Sequence, residues 1–317
     1  MTAGLPTPQA IAPNSIIGII AGSGQFPELT ARAARKQGLR VVICGFHGHT
    51  SPELAEQADV FAMFHLGQFG HVIKFFRKKQ ATHICFAGAI NKPKALSLRP
   101  DFTAVKLLLS LRGLGDDALL RAVASEFERQ GMQVIQAASL IPGLPGPLGP
   151  QTMRTPSREE WENILFGWPK AQEIGRLDIG QCIAVRGKMI MAVECLEGTD
   201  AALRRGAELG GKGAMALKIV KPGQDERVDL PAIGLNTVRT LVEGGYAGLA
   251  YQAEKTLFFD REASVRLAEQ HNIAIIGLPG GLDPNQAFYL WFEQEQPDSI
   301  SEFITRLQTA ALARQAD

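Results

Sequence analysis

The stretch SIIGIIAGSGQFP, residues 15–27, sets the fold class. Ser15 to Ala21 is a short apolar run of β-branched residues that ends in Gly22-Ser23-Gly24, and Pro27 opens a helical pattern closed by Gly38. A buried strand, a glycine turn and a helix in that order are the first unit of an α/β sheet. The pattern repeats outward. Leu39–Cys44, Val60–Phe64 and Thr82–Ala87 read as strands, with a short helix at Pro52–Gln57 and a longer one at Gly70–Lys79 between them. Helices over 101–111 and 116–130 follow, then one more strand signal at Met132–Ala137. Strands alternating with helices predict an N-terminal Rossmann-like parallel sheet.

IPGLPGPLGP, residues 141–150, holds four Pro and three Gly in ten residues, a composition that predicts an interdomain linker. Beyond it, Arg158–Arg176 reads as a helix and Gln181–Arg186 with Lys188–Glu194 as paired strands turning at Arg186-Gly187. Helices at Thr199–Leu209, Gly234–Glu243 and Arg261–His271 alternate with strands at Ala214–Val220, Ala247–Tyr251, Thr256–Phe259 and Ile273–Leu278. The expected organisation is α/β with two domains: a loose leader over 1–14, the Rossmann-like domain over 15–140, the Pro/Gly linker over 141–157, a mixed α/β catalytic domain over 158–278, and a helical tail over 279–317. Within the tail, Ser299 and Glu302 form a capping-box pattern ahead of Ile300, Phe303, Ile304, Leu307 and Ala311 at helical spacing.

The 317 residues suit two domains. With 33 Lys plus Arg against 32 Asp plus Glu, there is no basic footprint for nucleic acid. No apolar run reaches the ~18 residues of a membrane span, and the N-terminus lacks the features of a secretory signal. Cys44, Cys85, Cys182 and Cys195 form no C-x-x-C pair, which fits buried free thiols in a cytoplasmic protein.

Several motifs bear on chemistry. Gly22, Ser23 and Gly24 can bring backbone N–H groups and a helix N-terminus to an anion, although a plain tight turn reads the same way. The dinucleotide fingerprint fails, because Pro27 replaces its third glycine and Cys44-Gly45-Phe46 stands where an acidic residue is needed. Gly206-x4-Gly211-Lys212 imitates a P-loop but has Gly213 in place of Ser or Thr. His47 and His49 form a loop pair with no acidic or thiol residue to complete a metal set. KIVKPGQDERVDLP, residues 218–231, is the densest polar stretch. If it is extended, Asp225, Arg227 and Asp229 share one face: two hard oxygen donors for Mg²⁺ around an arginine fork for phosphate. A solvated charged loop is the competing reading. Glu194, Glu197 and Asp200 form a second acidic cluster beside the Gly198-Thr199 turn, where a Thr199 or Asp200 helix cap is the alternative.

Four segments together, IGIIAGSGQFP (17–27), GDDALLRAVASEFE (115–128), AVECLEGTD (192–200) and KPGQDERVDLPAIG (221–234), resemble the LpxI-type UDP-2,3-diacylglucosamine pyrophosphatases of lipid A biosynthesis. The likeness runs from about Ile16 to Leu278. It implies two domains holding a lipid between them, and a Mg²⁺-dependent hydrolysis of the substrate to UMP and 2,3-diacylglucosamine 1-phosphate, with attack at the sugar-side phosphorus. It implies an essential acidic residue at Asp225 or Asp229. On this reading Asp225 and Asp229 bind metal, or one of them is the general base, and Glu197 and Asp200 are further metal ligands. Arg227 and Lys221 stabilise phosphoryl charge. Gly22, Ser23, Gly24, Gln25, Gln224 and Thr199 contact substrate. The partners expected are the diacyl substrate, transiently the inner-membrane surface, and a second copy in a homodimer. Two other readings stand: a different nucleotide-sugar enzyme on an α/β scaffold, and a non-catalytic nucleotide- or lipid-binding module.

Overall fold

The computed structural model describes residues 11–90, 100–110, 116–280, 286, 290, 302, 305, 306 and 309. The leader and the helical tail expected from the sequence lie wholly or largely outside the described residues. The chain divides into two units, one of residues 1–142 with 225–229, the other of residues 143–224 with 230–317.

In the first unit the order is β1 (Ile16–Ala21), α1 (Phe26–Lys36), β2 (Arg40–Phe46), a 3-10 turn (Pro52–Gln57), β3 (Val60–Phe64), α2 (Phe69–Lys78), β4 (His83–Ala87), α3 (Phe102–Ser110), α4 (Asp116–Arg129), β5 (Gln133–Val134) and a second 3-10 turn (Ala137–Leu140). The five strands lie in the order β3-β2-β1-β4-β5 and all pair in parallel. Side chains alternate across this sheet, so successive residues of one strand enter different cores. Ile17, Ile19, Val41, Ile43 and Cys85 pack on Ala31 and Ala34 of α1. Ile20, Val42, Cys44 and Ile84 pack on Val72 and Phe76 of α2 and on Phe127 of α4. The strand expected over Met132–Ala137 is only two residues long, because the chain turns into the 3-10 segment at Ala137.

The second unit comprises β6 (Gly149–Pro150), α5 (Arg158–Arg176), β7 (Cys182–Arg186), β8 (Met189–Val193), α6 (Thr199–Gly210), β9 (Met215–Lys218), β10 (Ala232–Ile233), α7 (Leu235–Glu243), β11 (Gly248–Gln252), β12 (Leu257–Phe258), α8 (Arg261–Gln270) and β13 (Ala274–Leu278). Its main sheet runs β6-β13-β11-β9-β7-β8. Strands β9, β11 and β13 are parallel, whereas β6, β7 and β8 pair antiparallel with their neighbours. The sheet is therefore mixed. Trp161, Ile164 and Trp168 of α5 cover one face, and Leu203, Val238, Leu241 and Ala268 of α6, α7 and α8 cover the other. α5 starts at a capping box between Ser157 and Glu160.

Part of the stretch read as linker belongs to this sheet. Gly149 and Pro150 pair with Gly277 and Ile276 as edge strand β6. An edge position tolerates Pro, which has no N–H to give on the open side.

Candidate functional site

In the first unit, β1 lies between β2 and β4, where the chain order reverses. Ligands of open α/β sheets bind beyond the strand C-termini at such a point. Gly22–Gln25 stands there, joining β1 to α1. A Cβ on Gly22 would lie 2.4 Å from the carbonyl oxygen of Ala89, so only glycine lets the two backbones approach. The Ser23 N–H donates to Ala89 O at 2.8 Å, and Ser23 Oγ donates to the same oxygen at 3.0 Å. The hydroxyl expected to meet substrate thus ties the turn to the chain after β4. Thr50, which sequence reasoning missed, fastens the same edge: its Oγ1 donates to Ala21 O at 2.6 Å and accepts from Phe46 N at 2.8 Å. Nearby along the strand ends, His47 stacks on His65 with ring centroids 4.6 Å apart. The sequence had paired His47 with His49.

Residues 225–229 were expected in an extended segment of the C-terminal domain. They group instead with the first unit and form a helical turn. Val228 N–H donates to Asp225 O at 3.0 Å and Asp229 N–H to the same oxygen at 3.2 Å. The cause is local. Asp225 Oδ1 accepts the N–H of Arg227 at 3.1 Å, the side chain-to-backbone bond through which Asp starts turns. The alternation that put Asp225, Arg227 and Asp229 on one face is therefore overturned. Val228 packs, partly buried, against the core cluster that contains Phe127, and Gln136 Nε2 donates to Glu226 O at 3.1 Å.

Arg227 is held within this unit. Its Nε and Nη2 donate to Asp225 Oδ1 and Oδ2 at 2.9 and 2.7 Å, and its Nη1 donates to Glu128 Oε1 at 2.6 Å. The guanidinium beside Asp225 holds that carboxyl below the ordinary aspartate range, and Asp225 in turn raises Arg227. The fork expected to grip phosphate engages a carboxylate two residues away. Glu128, on the quoted 115–128 segment, was the partner that spacing within 218–231 had no means to reveal.

The other predicted residues lie in the second unit. Lys221 pairs with Asp178 at 2.8 Å. Gln224 is buried and its N–H closes the Pro222-Gly223 turn onto Lys221 O at 3.1 Å. Glu197 pairs with Arg205 at 2.5 Å. Its carboxyl is lowered by backbone N–H bonding and by Arg205. Gly198 is the N-cap of α6, where no side chain caps, so neither Thr199 nor Asp200 fills that role. Thr199 Oγ1 donates to Glu194 Oε1 at 2.7 Å and accepts from Lys218 Nζ. Lys218 is 2% exposed at the end of β9, 3.5 Å from Glu194 Oε2. This buried network joins Lys218, read with the 218–231 stretch, to Glu194 and Thr199, which the sequence reading had placed together.

A resident divalent cation needs oxygens gathered and uncommitted. Asp225 is committed to Arg227 and Glu197 to Arg205. Among the described residues, no three acidic, histidine or cysteine side chains cluster as a metal set. Of the expected ligands, Asp225 and Glu197 do not fit a metal as they stand.

A family model described as the LpxI N-terminal domain matches residues 16–144, and one described as the LpxI C-terminal domain matches 147–276. A protein of Caulobacter vibrioides named UDP-2,3-diacylglucosamine pyrophosphatase LpxI is 35% identical over 275 residues, covering 83% of this chain and 97% of that one. Among solved structures, the biotin carboxylase domain of a thermophilic 2-oxoglutarate carboxylase is 14% identical at a TM-score of 0.23, over 62% of this chain and 33% of that one. The biotin carboxylase subunit of a pyruvate carboxylase is 12% identical at 0.24, over 63% and 42%. The chain spans less than half of either structure, and a likeness that low carries no argument.

Proposed function

The chain belongs to the LpxI family, and on that premise we propose that it hydrolyses the pyrophosphate bond of UDP-2,3-diacylglucosamine, a step of lipid A synthesis. The observation that carries this reading is the Caulobacter relative of that name, matched over nearly its whole length. Water adds to one phosphorus, the anhydride P–O bond breaks, and the products are UMP and 2,3-diacylglucosamine 1-phosphate. Attack at the sugar-side phosphorus makes UMP the leaving group.

The residues divide the work as follows. The turn after β1 offers the Gly24 N–H and the start of α1 to a phosphate at the strand ends, the N–H groups of Gly22 and Ser23 being held by Ala87 O and Ala89 O. Arg227 supplies positive charge whose position Asp225 and Glu128 fix. Asp229 is the better candidate for a base, because Asp225, lowered and gripped by Arg227, is poorly suited to accept a proton. A Mg²⁺ requirement stays a separate expectation, with no step assigned to it. We expect the enzyme in the cytoplasm at the inner-membrane surface, where a diacyl substrate lies, and as a homodimer, whose mass light scattering checks. No helix among the described residues is long and apolar enough to cross a membrane.

Phosphorus NMR of the protein with UDP-2,3-diacylglucosamine and Mg²⁺ tests the proposal. The two anhydride signals should give way to UMP and a sugar 1-phosphate. An untouched substrate in the presence of folded protein would refute hydrolysis, and binding without turnover would favour the binding-module reading. An EDTA arm reads metal dependence, and ¹⁸O-labelled water shows which phosphorus is attacked.

A further inference from the structure

We infer that the outer face of α3 is a docking surface for an anionic phospholipid bilayer. α3 is apolar on two sides. Ala104 and Leu107 are buried on its inner side. On its outer side Phe102, Val105 and Leu109 are 84%, 39% and 82% exposed. Positions 102, 105 and 109 are three and four residues apart, so they form a single stripe along the helix. Other large exposed apolar side chains, such as Met153, Leu196 and Leu209, stand singly, which is ordinary for a surface. Among the described residues no other helix carries three on one stripe.

Charge selects the occupant. Lys106 is exposed on the same arc of α3, where its ammonium can rise to headgroup phosphates while its stem lies along the apolar stripe. Among the described residues 100–110, Lys106 is the one basic residue and Asp101 the one acid. Asp101 is committed inward: its carboxylate accepts the N–H groups of Gly70, His71 and Ala104 at 2.7, 3.2 and 2.9 Å. An apolar stripe edged by an exposed lysine, with its one neighbouring acid turned inward, suits a helix lying in the interface of an anionic membrane. A second copy fits less well. A nine-residue helix is about 14 Å long, and one stripe of it falls far short of the ~800 Å² per partner of a stable dimer.

The inference rests on the diacyl substrate proposed above, which a protein must meet at a bilayer, but its test uses no substrate. The protein is floated with vesicles of phosphatidylcholine alone and of phosphatidylcholine with phosphatidylglycerol. It should rise with the anionic vesicles and be released by high salt. The Phe102→Ser/Leu109→Ser pair should lower the partition coefficient by about ten-fold or more. Phe102→Trp, which keeps the stripe apolar, should gain a blue-shifted emission component when anionic vesicles are added. Wild type that stays unbound, a serine pair that floats equally, or a tryptophan at 102 that keeps its aqueous emission would each overturn the inference. So would a dimer that the serine pair abolishes. Turnover separates this inference from the catalytic reading. Flotation that depends on Phe102 and Leu109 without any hydrolysis would refute only the latter. Hydrolysis without flotation would refute only the docking surface.

Discussion

Both carboxylate oxygens of Asp225 lie in the fork of Arg227, with Nε to Oδ1 at 2.9 Å and Nη2 to Oδ2 at 2.7 Å. The two residues belong to one turn, so the pair fixes the direction of the arginine before any ligand arrives. Asp225→Asn keeps the acceptor for the Arg227 N–H but gives up the charge and one side of the fork. Arg227→Lys loses the fork outright. Because Arg227 is 42% exposed, solvent screening limits each loss to about 1 kcal/mol. Urea midpoints of the two single variants and the double should show coupling, with the double losing less than the sum. Additive losses would mean that the pair contributes no interaction energy.

The same pair predicts an acid limb of stability. Arg227 holds Asp225 below its usual 3.8. For Asp101, burial pushes the carboxyl up, but N–H bonds from Ala104 and Gly70 and the contact with His71 outweigh it and leave it lowered. A group lowered on folding contributes stability that is fully present above its unfolded value and lost as pH falls through its folded value. Both contributions should therefore persist at neutral pH and fade only below about pH 4. Urea unfolding across that range checks this. Asp225→Asn should flatten the acid slope, and a slope unchanged by the substitution would remove Asp225 from the account.

The alternation of β and α elements was legible because buried strands and helix faces carry their own periods. The run at 15–21 and the helix from Pro27 fall within a residue of β1 and α1. The segment at 82–87 matches β4, and the pair turning at Arg186-Gly187 became β7 and β8. The turn at 225–229 was not legible, since alternating polar residues look the same extended or coiled. What decided it was one side chain-to-backbone bond from Asp225 and the packing of Val228 against the core, neither of which has a period. The network of Lys218 with Glu194 and Thr199 was hidden for another reason. It joins residues 19 and 24 positions apart, which meet only after β7 and β9 have paired.

That network makes a sharp prediction. Lys218 is 2% exposed, and its ammonium is satisfied by Thr199 and Glu194. Glu194→Leu strands a buried cation and should cost about 3–5 kcal/mol. Lys218→Met together with Glu194→Leu removes both charges and should recover most of that loss. Urea or thermal unfolding of the single and double variants gives the comparison. A double variant as unstable as the single would show that the network's geometry, rather than its unpaired charge, holds the end of β9.

The turn after β1 separates structural from ligand-binding roles. At Gly22 an added Cβ would meet backbone atoms of Gly88 and Ala89 at 2.7 and 2.4 Å, so Gly22→Ala must move one chain off the other. At Gly24 there is open space, but φ is +84°, so Gly24→Ala costs backbone strain of about 1–2 kcal/mol without a collision. If the N–H groups of this turn hold a substrate phosphate, shifting it weakens binding. Gly22→Ala should then raise the KM for UDP-2,3-diacylglucosamine by roughly ten-fold, the loss of one good charge-assisted hydrogen bond. Gly24→Ala should lower Tm with a smaller change in KM. Steady-state kinetics beside thermal unfolding separates the two effects. A Gly22→Ala protein with reduced Tm and an unchanged KM would leave the turn a purely structural joint between β1 and β4.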